Sequence, residues 1–245
     1  MAETVGTIAE IWRYPVSSIA GEALQSTEIR PCGVEGDRRW GLIDIATGTP
    51  AAPENDHRWR PALFLSARLR YGAPEIGFPD GGWMPAHATE ATAKLTDHFG
   101  FAVEARPYGD AYDAHTSGRI LNRYDPNPVH ILTNASLAHL AGLVGEAMVD
   151  PRRFRPTILI ETDCQPGFVE SNWIGHGIDA GTLSMAATEE TKRCGMTLIA
   201  QPGIAENADI LRSIVRQNRR NLGIYCSVTR AGRVSVGDTI VLHDD

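Results

Sequence analysis

Short runs of apolar, β-branched and aromatic residues broken by turn residues recur along this chain, with polar–apolar alternation at 26–31, and about three segments keep a helical period. Residues 5–14, VGTIAEIWRY, are rich in β-branched and aromatic side chains and predict a strand that Pro15 ends. Further strands are predicted at 26–31, 40–45, 60–71, 101–107, 129–132 and 155–161, with a strand–turn–strand unit over 172–183. Residues 72–85 are rich in Gly and Pro and read as a loop with room for one short strand. Residues 223–228 and 232–242 are expected to pair as a hairpin through the turn at 229–232. Helices are predicted at 90–100, where Ala91, Leu95 and Phe99 share a face, and at 134–145, with Asn134 as the N-cap. A third helix, 206–218, is built on Ile210, Leu211, Ile214 and Val215. Residues 108–128 are poor in apolar side chains and read as a linker or mobile loop. Many short strands with few helices imply a β-rich α+β fold around a curved or closed sheet, not a doubly wound one.

Composition narrows the function classes. The 245 residues can form one large domain or two modest ones, long enough to bury a core without disulfides. A net charge of -7 argues against binding a nucleic-acid backbone and gives no reason to expect an anionic membrane. The chain starts without a basic-then-apolar leader and has no apolar run near the roughly 20 residues of a membrane span. A soluble, cytoplasmic protein of a reducing compartment is expected. Cys32, Cys164, Cys194 and Cys226 form no CxxC pair and no ferredoxin-like cluster. Nucleotide-binding GxGxxG and P-loop motifs are absent, as are HExxH and GxSxG.

The candidate chemistry lies at 189–204, EETKRCGMTLIAQPGI, where Cys194 follows Lys192 and Arg193. Adjacent cations favour the thiolate, the form that attacks electrophiles and binds metals; a free cysteine is also often a small buried hydrophobe. Arginines gather at strand ends: Arg38 and Arg39 after a Gly-rich loop, then Arg152, Arg153 and Arg155 before an apolar strand. A further group is Arg212, Arg216, Arg219 and Arg220. Guanidinium forks grip phosphates and planar heterocycles, so arginines at strand ends of an acidic chain suggest an anionic ligand. The eight histidines include no pair at ligand spacing.

Five segments in order resemble the MOSC family: IWRYPVSSIAGEAL with GVEGDRRWGLID, then HILTNASLAHL, RRFRPTILIE, TKRCGMTLI and LGIYCSVTRAGRVSVGDTIVL. The resemblance implies a β-barrel core over 109–245 and an N-terminal β-barrel part over 1–108. It implies binding of the molybdenum cofactor (molybdopterin, with no pyridoxal phosphate), with Cys194 as catalytic residue and molybdenum ligand. Ser18, Arg38, Thr133, Ser136, Arg155, Thr157, Lys192, Arg193 and Tyr225 are the implied cofactor-binding positions. The family lysine of YPVKS is Ser17 here, the FRPN asparagine is Thr157, and the serine two before the cysteine is Lys192. The motif after the cysteine reads Thr197-Leu198-Ile199-Ala200, without its aspartate. The implied function is reduction of N-oxygenated or similar small molecules with an external electron donor. The alternatives are sulfur transfer through a Cys194 persulfide, or a non-redox binding module of a biosynthetic pathway.

Overall fold

The computed structural model describes residues 2–109 and 128–244. The N-terminal half supplies β1 (Glu3–Arg13), β2 (Glu22–Leu24), β3 (Ser26–Arg30), β4 (Gly33–Val34), β5 (Trp40–Asp44), β6 (Ser66–Arg70), β7 (Ala73–Gly77), β8 (Trp83–Pro85), α1 (Thr89–Phe99) and β9 (Val103–Pro107). The C-terminal half supplies β10 (Val129–Thr133), α2 (Asn134–Val144), β11 (Ile158–Glu161), β12 (His176–Ala180), β13 (Leu183–Lys192), α3 (Ala208–Asn218), β14 (Asn221–Arg230), β15 (Gly232–Ser235) and β16 (Thr239–Asp244). The expected β-rich α+β fold with a closed barrel is observed. The barrel runs β11-β10-β14-β13-β12-β16-β1 and closes where β1 pairs with β11. All neighbours are antiparallel except β10 and β11, which α2 connects as a crossover.

Side-chain alternation explains how the barrel fills and what covers it. Ile131, Ile158, Ile160 and Ile224 point inward and meet Ile8, Ile11, Ile178, Met185 and Ile240. Leu132, Leu159 and Leu222 point outward from three of the same strands and pack under α2 and α3 with Leu140, Ile210 and Ile214. Every residue of β10 is therefore buried, as expected of a strand covered on both faces. Ile29 of β3 and Val34 of β4 join the barrel core, and a separate core holds β5 to β9 and α1. There α1 and an eight-residue 3-10 helix, His57–Phe64, place Trp59 edge-on to Phe99 and Phe101 at 5.2 and 5.0 Å.

Several predicted elements shift for physical reasons. The strand expected from residue 60 begins only at Ser66, because Asp56 caps the 3-10 helix by accepting the Arg58 N–H. The expected loop at 72–85 carries two short strands, β7 and β8, that extend β6 into a small sheet. The N-cap of α2 is Thr133, whose Oγ1 accepts the Ser136 N–H at 3.1 Å; Asn134 instead accepts the Thr162 N–H at 2.9 Å. The hairpin expected across 229–232 does not form. Both edges of β14 are taken by β10 and β13, so β15 pairs with β3 and β16 with β1 and β12. The linker predicted at 108–128 lies almost wholly outside the described residues. The four cysteines are free. No helix among the described residues is long and apolar enough to cross a membrane.

The first strand of the chain closes a ring built by the C-terminal half. Bulges in β1 after Thr4 and after Ile8 bend it around that ring. Ile8 and Ile11 are fully buried within it, each worth about 1.5–3 kcal/mol of burial. A chain beginning at residue 14 would expose the edges of β11 and β16 and lose these side chains. Its cooperative thermal transition in circular dichroism is expected to disappear, whereas the full chain retains it.

Candidate functional site

At one rim of the barrel, the turn before β11 and the loop after β4 meet at Tyr14, just past the end of β1. Its backbone carbonyl accepts the Arg38 N–H at 2.7 Å, and its own N–H donates to Asp37 Oδ1 at 2.6 Å. The Arg38 and Arg155 guanidiniums both lie over its ring, with Cζ 4.8 and 4.2 Å from the centroid. Arg38 Nη2 donates to the Arg155 carbonyl at 3.2 Å, and Arg155 Nη1 donates to the Ile19 carbonyl at 2.5 Å. Burial holds the Tyr14 phenol far above its usual range, so the hydroxyl stays protonated and donates to the Pro156 carbonyl at 3.2 Å.

Three of the six non-glycine residues at positive φ among the described residues lie at the same place. Ser18, Arg38 and Arg155 adopt φ of 69°, 48° and 54°, a left-handed conformation that costs a non-glycine residue about 1–2 kcal/mol. Such strain persists only where surrounding contacts impose it, and it is common at functional sites. Here the Tyr14 carbonyl holds the Arg38 N–H, the Arg155 carbonyl accepts from Arg38 Nη2, and the Ser18 hydroxyl donates to the Ala51 carbonyl at 3.4 Å.

Arg193, one residue before Cys194, is buried and fully used. Its Nε donates to the Leu222 carbonyl at 2.8 Å, its Nη1 to the Phe154 carbonyl at 3.0 Å, and its Nη2 to His130 Nε2. His130 Nδ1 lies 3.3 Å from the Arg155 carbonyl, which fixes the tautomer: Nδ1 carries the proton and Nε2 accepts. Burial first, then the Arg193 charge, holds His130 well below its usual pKa, so it is neutral. Gly223 makes this contact possible. Its φ is +78°, and a Cβ there would lie 2.6 Å from both His130 Nε2 and the Ile131 carbonyl.

The charge at the rim is unbalanced. Burial lowers Arg155 and Arg193 to about 10, which still leaves both protonated at neutral pH. For Arg38, burial works against the charge and the adjacent Asp37 more than restores it. Arg155 has no carboxylate partner among the described residues, and its Nη2 is buried there without a hydrogen-bond partner. Cys194 is half-buried, within electrostatic range of Arg155 and Arg193, and stands at the N-cap of the 3-10 turn Gly195–Leu198.

The structure therefore brings Ser18, Arg38, Arg155, Arg193, Cys194 and Tyr225 to one region. Tyr225 packs edge-on to His130 at 5.6 Å and lies within range of Arg38 and Arg193. Other sequence candidates have internal partners. The Thr133 and Ser136 hydroxyls both donate to Glu170 Oε2, at 2.8 and 2.5 Å, in a fully buried cluster. Thr157 is buried and ties β10 to the turn before β11, its Oγ1 accepting the His130 N–H at 3.2 Å. Lys192 is exposed at the end of β13, opposite Asn221. Tyr14, Asp37, His130, Glu170 and Gly223 belong to the site or its support and were not legible as such. Only Tyr14 carried a signal, as an aromatic directly before a strand-ending proline. Two surface clefts, of about 300 and 370 Å³, lie along Cys32, Arg39 and Trp40 and along Leu198, Leu211 and Val215; neither includes Cys194.

Two outcomes follow from the Arg193–His130 lock. Gly223→Ala is expected to cost about 2–4 kcal/mol in denaturant unfolding, from strain at positive φ plus the backbone clash. A depressed histidine contributes stability that is present above its unfolded value of about 6.5 and is lost as pH falls through its folded value. The unfolding midpoint is thus expected to fall between pH 7 and pH 5, with a shallower slope in His130→Gln.

Comparison with known proteins is consistent with this geometry. A model of the MOSC domain matches residues 118–241, and one of the MOSC N-terminal beta barrel domain matches residues 5–121. The chain is 24% identical over 286 residues to mitochondrial amidoxime reducing component 2 of Bos taurus, covering 97% of this chain and 83% of that protein. Its Homo sapiens counterpart is 26% identical over 298 residues, with 97% and 84% covered. Among solved structures, the YUAD protein from Bacillus subtilis shares the fold, with a TM-score of 0.55 at 14% identity over 100% of this chain and 98% of that one. The two matched domains together span the barrel, its closing first strand and the Cys194 rim, and the chain belongs to the MOSC family.

Proposed function

We propose that this chain binds a molybdenum cofactor at the Cys194 rim and reduces an N-oxygenated small molecule with electrons from a separate donor protein. The observation that carries the reading is the buried, unpartnered Nη2 of Arg155 beside a half-exposed thiol. A buried donor of a charged group without an acceptor is costly, and an anionic ligand would satisfy it. The donor set also fits. Among the described residues no three His, Cys, Asp or Glu side chains could hold a metal together. A metal here would need most of its ligands from its own cofactor, with one soft thiolate from the protein. The dithiolene of molybdopterin provides such ligands.

When bound, the group supplies a redox centre that takes oxygen from the substrate. The chain's own residues hold and shield it. Cys194 provides the thiolate, with the positive charges of Arg155 and Arg193 in range of it. Arg38 and Arg155 grip the anionic groups, with the Arg155 Nη2 donor, which has no partner among the described residues, free to take one of them. Arg193 acts indirectly: its donors are used on Leu222, Phe154 and His130, so it fixes the strand that presents Cys194. The similarity to amidoxime reducing components favours an N-oxygenated substrate over other oxygen donors.

Protein purified from a host that makes molybdopterin is expected to carry close to one molybdenum per chain by elemental analysis. Cys194→Ala is expected to lose it, and Arg155→Met to retain the cofactor about tenfold less well, the cost of one charged hydrogen bond. Absence of metal together with gain of one sulfur on Cys194 after treatment with a cysteine desulfurase would replace this reading with sulfur transfer. Absence of both would leave a binding module.

A further inference from the structure

We propose that Tyr14 is a positioning residue whose ring, not its hydroxyl, sets the spacing and aim of the Arg38 and Arg155 guanidiniums towards a bound anion. The proposal rests on the reading of this rim as the anion-binding edge of the cofactor site. Three observations support it. Both guanidiniums lie over the same ring, with Cζ 4.8 and 4.2 Å from its centroid. A flat aromatic face attracts cations and orients planar guanidiniums, so one ring can seat two like charges that would otherwise repel. Second, the hydroxyl is already committed, donating to the Pro156 carbonyl at 3.2 Å in a buried setting. Third, Tyr14 holds two adjacent residues of the loop that carries Arg38: its N–H donates to Asp37 Oδ1 and its carbonyl accepts the Arg38 N–H. Arg38 and Arg155 both hold left-handed backbone conformations beside this ring.

The arrangement explains a gap in the contacts of Arg155. Its Nη1 reaches Ile19, its face rests on Tyr14, and its Nη2 is left without a partner among the described residues. Stacking on an aromatic face uses none of a guanidinium's N–H donors, so with Nη1 on Ile19 the Nη2 donor stays available to an acceptor. A leucine of similar volume would fill the space and leave the arginine free to turn to other acceptors.

The test compares Tyr14→Phe and Tyr14→Leu with the wild-type chain, using inorganic pyrophosphate as the anion probe. Calorimetry gives its affinity, and ¹⁵N NMR follows the side-chain Nε–H signals of Arg38 and Arg155. The ring should shift both signals upfield in the wild-type chain and in Tyr14→Phe, and the shift should vanish in Tyr14→Leu. Pyrophosphate affinity should stay within about twofold for Tyr14→Phe and fall about tenfold for Tyr14→Leu, measured where all three are folded. Equal affinity in Tyr14→Leu and wild type would reduce Tyr14 to a packing residue and overturn the proposal. So would a Tyr14→Phe as weak as Tyr14→Leu, or a wild-type chain that does not bind pyrophosphate at the Arg155 signal. A chain that follows the expected order but never acquires molybdenum would leave the Tyr14 role standing and remove the cofactor reading.

Discussion

A guanidinium can be buried only if the fold gives its donors acceptors, and the rim around Cys194 is organised by that demand. Arg193 is buried among the ends of β13, β14 and the turn before β11, with Leu222 and Phe154 carbonyls and a neutral His130 as its acceptors. None of these partners is a carboxylate, so its positive charge persists in the rim. His130 can accept only because it is kept unprotonated, and Gly223 must lack a side chain for the two to meet. Removing His130, or adding a side chain at Gly223, would leave the buried Arg193 charge short of a partner, which is more costly than losing an exposed ion pair.

Further out on the rim, the same demand is met incompletely. Arg38 has Asp37 and the Arg155 carbonyl, but Arg155 has the Ile19 carbonyl, an aromatic face and one empty donor. The chain as a whole is acidic, with a net charge of -7, yet three arginines gather here with a thiol in their field. The barrel makes this possible because β1, from the opposite end of the sequence, is also a barrel strand. Closing the ring against β11 delivers Tyr14 and the loop after it to the strand end that carries Cys194. Stability and site assembly therefore depend on the same pairing.

Much of this was legible in the sequence. Periodicity located the three helices and most strands, since a buried stripe or a β-branched run reports local burial directly. Cys194, Arg38 and Arg155 stood out because charged residues at strand ends and beside a thiol have few structural reasons to be there. Partner choice was not legible. Nothing local shows that β14 is claimed on both edges and so cannot form a hairpin with β15. Thr133 outcompetes Asn134 as the cap of α2 because Thr162, far along the chain, occupies the asparagine. Tyr14, His130 and Gly223 gain their roles only when strands distant in sequence meet. Thr133 and Ser136 look like ligand-facing hydroxyls until the buried Glu170 is placed against them.

X-ray absorption at the molybdenum edge of the purified holoprotein addresses the central claim most directly. The sulfur coordination shell of the wild-type protein should contain a cysteine thiolate and should lose one sulfur in Cys194→Ser. A sulfur count that is the same in both proteins would show that Cys194 does not ligate the metal and would contradict the account of this rim.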